Sequence, residues 1–227
     1  MLNFLYETTL TPEQAVMVFI ISIFAFIFSL TIHEFAHGLV ALKMGDDTAK
    51  LSGRLTLNPF KHLTIGGFLC FMILGVGWAK PMPVNPIKFK KYRKGIRLVS
   101  ISGIVANVVL GLIAAIIHAV LIATVGIPNM AMEYLYLLLQ YFMIINSYLA
   151  LFNLLPIYPL DGFNFVTSFM KADNKFIHNG IKNGIRILFS ILLVSLVIEL
   201  LFGIDLLTWY LSIIYRLIYL PIVLLGG

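Results

Sequence analysis

The sequence predicts an all-α polytopic membrane protein, and three observations carry that prediction. Of 227 residues, 60% are hydrophobic and only 11% are charged, far too little polar surface for a soluble domain of this length. Several uncharged runs are long enough to cross a hydrocarbon core of about 30 Å. The basic residues flank those runs rather than gathering in one patch. The formal net charge of +6 therefore reads as contact with a membrane surface and not with nucleic acid. A single cysteine, Cys70, excludes an internal disulfide and a thiolate metal cluster. The first ten residues lack a basic stretch, so no cleavable signal peptide is expected. The whole chain, 1–227, reads as one membrane-embedded domain.

The elements follow in order. Thr11-Pro12-Glu13-Gln14 has a capping residue, a proline suited to the first helical position and a glutamine able to close a capping box. The helix it opens carries no charge from Ala15 to Ile32 and runs to about Met44, where Gly45-Asp46-Asp47 ends it. Residues 48–62, TAKLSGRLTLNPFKH, alternate weakly around Gly53 and Asn58-Pro59, which predicts short β-strands and a turn. Residues 63–79 are apolar but short, with glycines at 66, 67, 75 and 77. Pro81, Pro83 and Pro86 force extended backbone in the basic stretch that follows. Further apolar helices are expected from Leu98 to about Val125, from about Met132 to Leu155, from Ile185 to Phe202 and from Leu206 to Leu225. A short surface helix fits the linker 164–184. The architecture is thus about five transmembrane helices, a re-entrant segment and short cytoplasmic strands.

The chemistry lies at the end of the first helix, in TIHEFAHGLV, residues 31–40. His33 and His37 are four apart and share one helix face. Neutral imidazoles at that spacing bind Zn²⁺. Glu34 stands beside that face, where it can act as general base on a zinc-activated water. Ionisable side chains in a membrane segment are rare and functional by default. A catalytic zinc usually takes three protein ligands, so a third is needed from another helix end. The best candidate is Asp161 in NLLPIYPLDG, residues 153–162, where Pro156 and Pro159 break a helix and Gly162 lets the backbone turn. Asn107 is a candidate for polarising a substrate carbonyl, with interhelical hydrogen bonding the stronger reading. His62 and His118 read as structural or interfacial.

His33-Glu34-Phe35-Ala36-His37 together with Leu160-Asp161-Gly162 resembles the site-2 protease family of intramembrane zinc metalloproteases. GRLTLNPFKH (53–62), GWAKPMPVNP (77–86) and SGIVAN (102–107) are similar to its compact bacterial and archaeal members. The resemblance covers most of residues 15–165, which makes about 15–165 the catalytic core and about 185–225 a pair of C-terminal helices. It implies one zinc per chain held by His33, His37 and Asp161, with Glu34 as the catalytic base. It also implies that the partners are transmembrane protein substrates, cut within or near the lipid bilayer. Asn153 matches the asparagine that begins the family's second motif. The reading from a different class is a membrane metal-ion transporter that uses the same His/Asp cluster as a transit site.

Charge counting sets the expected topology. If 63–79 crossed the membrane, the basic loops on either side of it would lie on opposite faces, against the positive-inside tendency. If 63–79 dips in and returns, both loops lie in the cytoplasm. His33, His37 and Asp161 then share the cytoplasmic end of a multi-pass cell-membrane protein. Re-entrant backbone is tolerated where protein buries it or a wet cavity receives it.

Overall fold

The computed structural model describes residues 11–74, 77–171 and 173–226. Residues 1–10, on which the signal-peptide expectation rests, and Gly75 lie outside the described residues.

Helix α1 spans Pro12–Lys43. The expected capping box forms: Thr11 Oγ1 accepts from the Gln14 N–H, and the Gln14 side chain accepts from the Thr11 N–H. Residues 63–79 hold a short helix, α2 (Ile65–Leu74). The two ends of this segment meet, because Leu63 and Ala79 form an isolated antiparallel bridge and the Lys80 N–H donates to the His62 carbonyl at 2.7 Å. The segment therefore returns to where it began. Helix α3 spans Tyr92–Thr124 and α4 spans Met130–Leu154. Helix α3 starts at Tyr92 rather than Leu98, since the Lys/Arg-rich stretch after Pro86 holds good helix formers and no proline.

The expected strands are absent among the described residues. Residues 48–51 make one helical turn, Thr48–Leu51, and Asn58-Pro59 opens a 3-10 turn in which Asn58 Oδ1 accepts from the Phe60 N–H. Backbone groups in 48–62 are satisfied locally: the Ser52 N–H reaches Thr48 and the Arg54 N–H reaches Ala49. Weak alternation therefore had no partner edge on which to form a ladder. Residues 80–85 are extended, as their prolines dictate, yet two of their N–H groups go to carboxylates. Met82 donates to Glu34 Oε2 at 2.7 Å and Asn85 donates to Asp46 Oδ2 at 2.6 Å.

The second half of the chain departs further from expectation. A short helix α5, Asp161–Thr167, follows the proline break. Helix α6 spans Lys175–Phe202, so the surface helix expected in the linker is its first turns. The fifth long helix, expected over Leu206–Leu225, is instead broken into α7 (Leu206–Leu211), a π-helical stretch (Tyr215–Tyr219) and α8 (Leu220–Gly226). Pro221 has no N–H to give to the preceding turn, and the wide π turn accommodates it. Four helices among the described residues, α1, α3, α4 and α6, are long and apolar enough to cross a membrane.

Helices α1, α3 and α4 pack on one another and form the core. Val18, Ile21, Ala25, Phe26 and Leu30 of α1 meet Tyr141 and Ile145 of α4. Phe26 stacks on Phe71 of α2 with ring centroids 3.7 Å apart, which seats the returning segment against α1. The C-terminal pieces lie on α3 and α4 through the fully buried Tyr219. Helix α6 stands at the edge with its most apolar stretch unburied, as suits a surface that faces lipid.

Candidate metal centre

Two turns of α1 bring His33 and His37 onto one buried face. Their Nε2 atoms lie 3.0 Å apart. Asp161, at the start of α5, points Oδ2 to 3.1 Å from both. These three ligand atoms come from the two ends of the chain's core and form one cluster able to hold a metal ion.

The hydrogen bonds behind the rings decide what the cluster can bind. His37 Nδ1 lies 2.7 Å from the carbonyl of Val99, and His33 Nδ1 lies 2.6 Å from Asn107 Oδ1. Both partners are oxygen acceptors, so both Nδ1 atoms carry the hydrogen and both Nε2 atoms present a lone pair. Asp161 Oδ2 is buried and receives no hydrogen bond. Three electron-pair donors thus face one another at 3.0–3.1 Å. A tetrahedral zinc with ligands at about 2.0–2.1 Å sets its ligand atoms roughly 3.3 Å apart, so the donor set and its spacing both fit Zn²⁺.

Backbone packing makes this convergence possible. Gly103 of α3 sits directly behind the rings: a Cβ there would lie 2.5 Å from His33 Cε1 and 2.6 Å from His37 Nε2. Gly162 was expected to supply a turn. It lies instead inside α5, where a Cβ would strike the carbonyls of Leu154 and Leu155. Its missing side chain lets α5 pack on the end of α4, and that brings Asp161 to the histidines.

Glu34 is buried beside the cluster, its Oε2 held by the Met82 N–H. Leu55 and Met82 side chains cover Gly38 on the same helix. Asp46 is fully buried and fastens the extended segment to the end of α1. It accepts from the Asn85 N–H and from both the N–H and hydroxyl of Thr48. Burial opposes its ionisation, but these hydrogen bonds outweigh burial and keep its carboxyl below the ordinary 3.8.

Of the other residues singled out in the sequence, Asn107 is fully buried behind His33, while Asn153 is half-buried on the last turn of α4 and donates to the Leu149 carbonyl at 3.0 Å. His62 is fully buried and its Nε2 pairs with the Thr56 carbonyl at 2.7 Å, a structural role. His118 is buried against the Tyr136 ring. Sequence reasoning missed Gly103, the Val99 carbonyl and Asn146. A glycine in a helix is the only signal the first gives, and a backbone carbonyl gives none.

A family model for peptidase family M50 matches residues 118–196, which include Asp161. "Putative zinc metalloprotease YwhC" of Bacillus subtilis (strain 168) is 48% identical over 143 residues, 62% of this chain and 64% of that protein. "Putative zinc metalloprotease Rip2" of Mycolicibacterium smegmatis is 31% identical over 163 residues, 68% of this chain and 59% of that protein. The chain belongs to peptidase family M50, the site-2 protease family. A Rip2 protein of Mycobacterium tuberculosis (strain H37Rv) is 32% identical over 177 residues, 71% of this chain and 62% of that protein. The M50 chain spans less than two thirds of the length of each of these relatives. No solved structure matches it. The four long apolar helices among its described residues and its family make it a multi-pass membrane protein.

Proposed function

We propose that this chain is an intramembrane zinc endopeptidase that hydrolyses peptide bonds of transmembrane substrates. The observation that carries the reading is the meeting of two bare Nε2 atoms and one carboxylate oxygen at the end of an apolar helix, next to Glu34. His33, His37 and Asp161 hold one zinc ion, which supplies Lewis acidity when bound. The Glu34 carboxylate takes a proton from the attacking water and delivers it to the leaving amine. The Met82 N–H, bound to Oε2, aims that carboxylate. Asn153, half-buried beside the break that leads to Asp161, is the residue proposed to touch substrate. Asn107 is fully buried and acts through His33.

The closed ends of 63–79 support a re-entrant segment, with the site near the cytoplasmic face. Ion transport with the same cluster is less well supported. A transit path needs ligands along its length, whereas these three atoms share one level.

Purified protein stripped of metal by a chelator should fail to cleave a model single-span substrate, and stoichiometric zinc should restore cleavage. Cleavage that survives complete metal removal would end the proposal.

A further inference from the structure

Three polar side chains with no exposed surface, Ser29, Asn107 and Asn146, lie where α1, α3 and α4 meet. Side-chain hydrogen bonds between membrane helices each add little to adhesion, so simple adhesion is a weak reason for three of them. Their polarity follows a single direction. Asn146 Nδ2 lies 2.7 Å from the carbonyl of Phe142 and 2.8 Å from Ser29 Oγ. A backbone carbonyl only accepts, so the NH₂ end of Asn146 must face Phe142 and its Oδ1 must face away. That Oδ1 accepts from Asn107 Nδ2 at 2.7 Å. The second N–H of Asn107 points to the Ser29 carbonyl, another pure acceptor, at 3.4 Å. The NH₂ end of Asn107 is thereby fixed, and its Oδ1 is left to face His33 Nδ1 at 2.6 Å. Every side-chain N–H in the chain of contacts is used.

We infer that Asn146 and Asn107 are positioning residues for the metal site: a relay that starts at the Phe142 carbonyl fixes, through two amides, which nitrogen of His33 is free to bind metal. The inference rests on His33 being a metal ligand. His37 needs no relay, because its Nδ1 meets the Val99 carbonyl directly. His33 has a side-chain amide there instead, and an amide has two chemically different ends. Reversed, Asn107 would offer N–H groups to Nδ1, draw the hydrogen to Nε2 and abolish the lone pair that faces Asp161. Asn146 Oδ1, the shorter of the two acceptors at 2.7 Å against 3.4 Å for the Ser29 carbonyl, is the main hold that keeps the amide one way round.

The test is zinc affinity, measured by competition with a chromophoric chelator on purified full-length protein. Asn107→Leu should weaken binding about 10–100-fold, the usual cost of losing an outer partner of a metal-bound histidine. Asn146→Leu should weaken it about tenfold, at the lower edge of that range. The decisive comparison uses Asn107→Asp. A carboxylate has two like ends, both acceptors, so it serves His33 in either orientation. In the Asn107→Asp background, Asn146→Leu should leave zinc affinity unchanged. Where the leucine does not pack, Asn146→Ala gives the same comparison. Ser147→Ala, beside Asn146 but bonded to Leu211 and Tyr215, should bind zinc as wild type does. An equal loss from the Asn146 variants in both backgrounds would make Asn146 merely structural, and no loss in either would remove it from the site; both overturn the relay. Failure of the underlying reading looks different: wild-type protein would bind no zinc that His33→Ala abolishes.

Discussion

Gly103→Ala adds one methyl group at the point where α3 meets the two histidines. That Cβ would lie 2.5 Å from His33 Cε1 and 2.6 Å from His37 Nε2. Unstrained contact lies near 3.5–4.0 Å, so the rings or the helix must retreat by about 1 Å. Metal–ligand distances tolerate only about 0.2 Å, and a misplacement of about 1 Å near a reacting centre costs roughly 10²-fold in rate. That factor corresponds to about 2.7 kcal/mol at the transition state. The expected result is zinc content well below one per chain and cleavage of a single-span substrate reduced about 100-fold. Gly66→Ala is the control, since its Cβ would meet only Trp78 at an ordinary 3.7 Å. Wild-type zinc content and wild-type cleavage in Gly103→Ala would refute the claim that this close approach sets the site.

Two other perturbations test the surroundings of the centre. Asp46→Asn keeps the shape but leaves one oxygen to serve the Asn85 and Thr48 donors, and should cost about 1.5–3 kcal/mol in thermal or chemical unfolding. Its folded carboxyl titrates below 3.8, so the wild-type contribution is complete above that value and is lost as pH falls through the lower folded one. The variant should therefore show a flatter acid limb, and an unchanged limb would count against the assignment. For topology, Cys70→Ser supplies a cysteine-free host. Single cysteines at Ser52 and Lys88 should label from the cytoplasmic side and one at Asn129 from the other, whereas opposite labelling of 52 and 88 would exclude a re-entrant 63–79.

The long helices were legible because composition and length alone decide them, and the capping box at Thr11 and Gln14 forms as read. His33 and His37 were legible because helical spacing puts them on one face. Asp161 emerged from a proline break, although the turn attributed to Gly162 is in fact a close helix contact. The strands expected in 48–62 failed because weak alternation specifies a strand only where another edge can pair with it, and Asn58 and the Thr48–Leu51 turn satisfy that backbone locally. The last helix was read as continuous because its residues are mostly apolar, with Arg216 near its middle, yet Pro221 interrupts the hydrogen-bond ladder. Gly103 and Asn146 could not be assigned from sequence, since their importance lies in which helix they face.

The central claim is that three side chains hold zinc while a fourth moves the proton. It is tested most directly by Glu34→Gln, assayed for bound zinc and for cleavage in the same preparation. A general base is not a ligand, so zinc should remain at one per chain while cleavage disappears. Cleavage that persists in Glu34→Gln, or zinc that leaves with the carboxylate, would contradict the account.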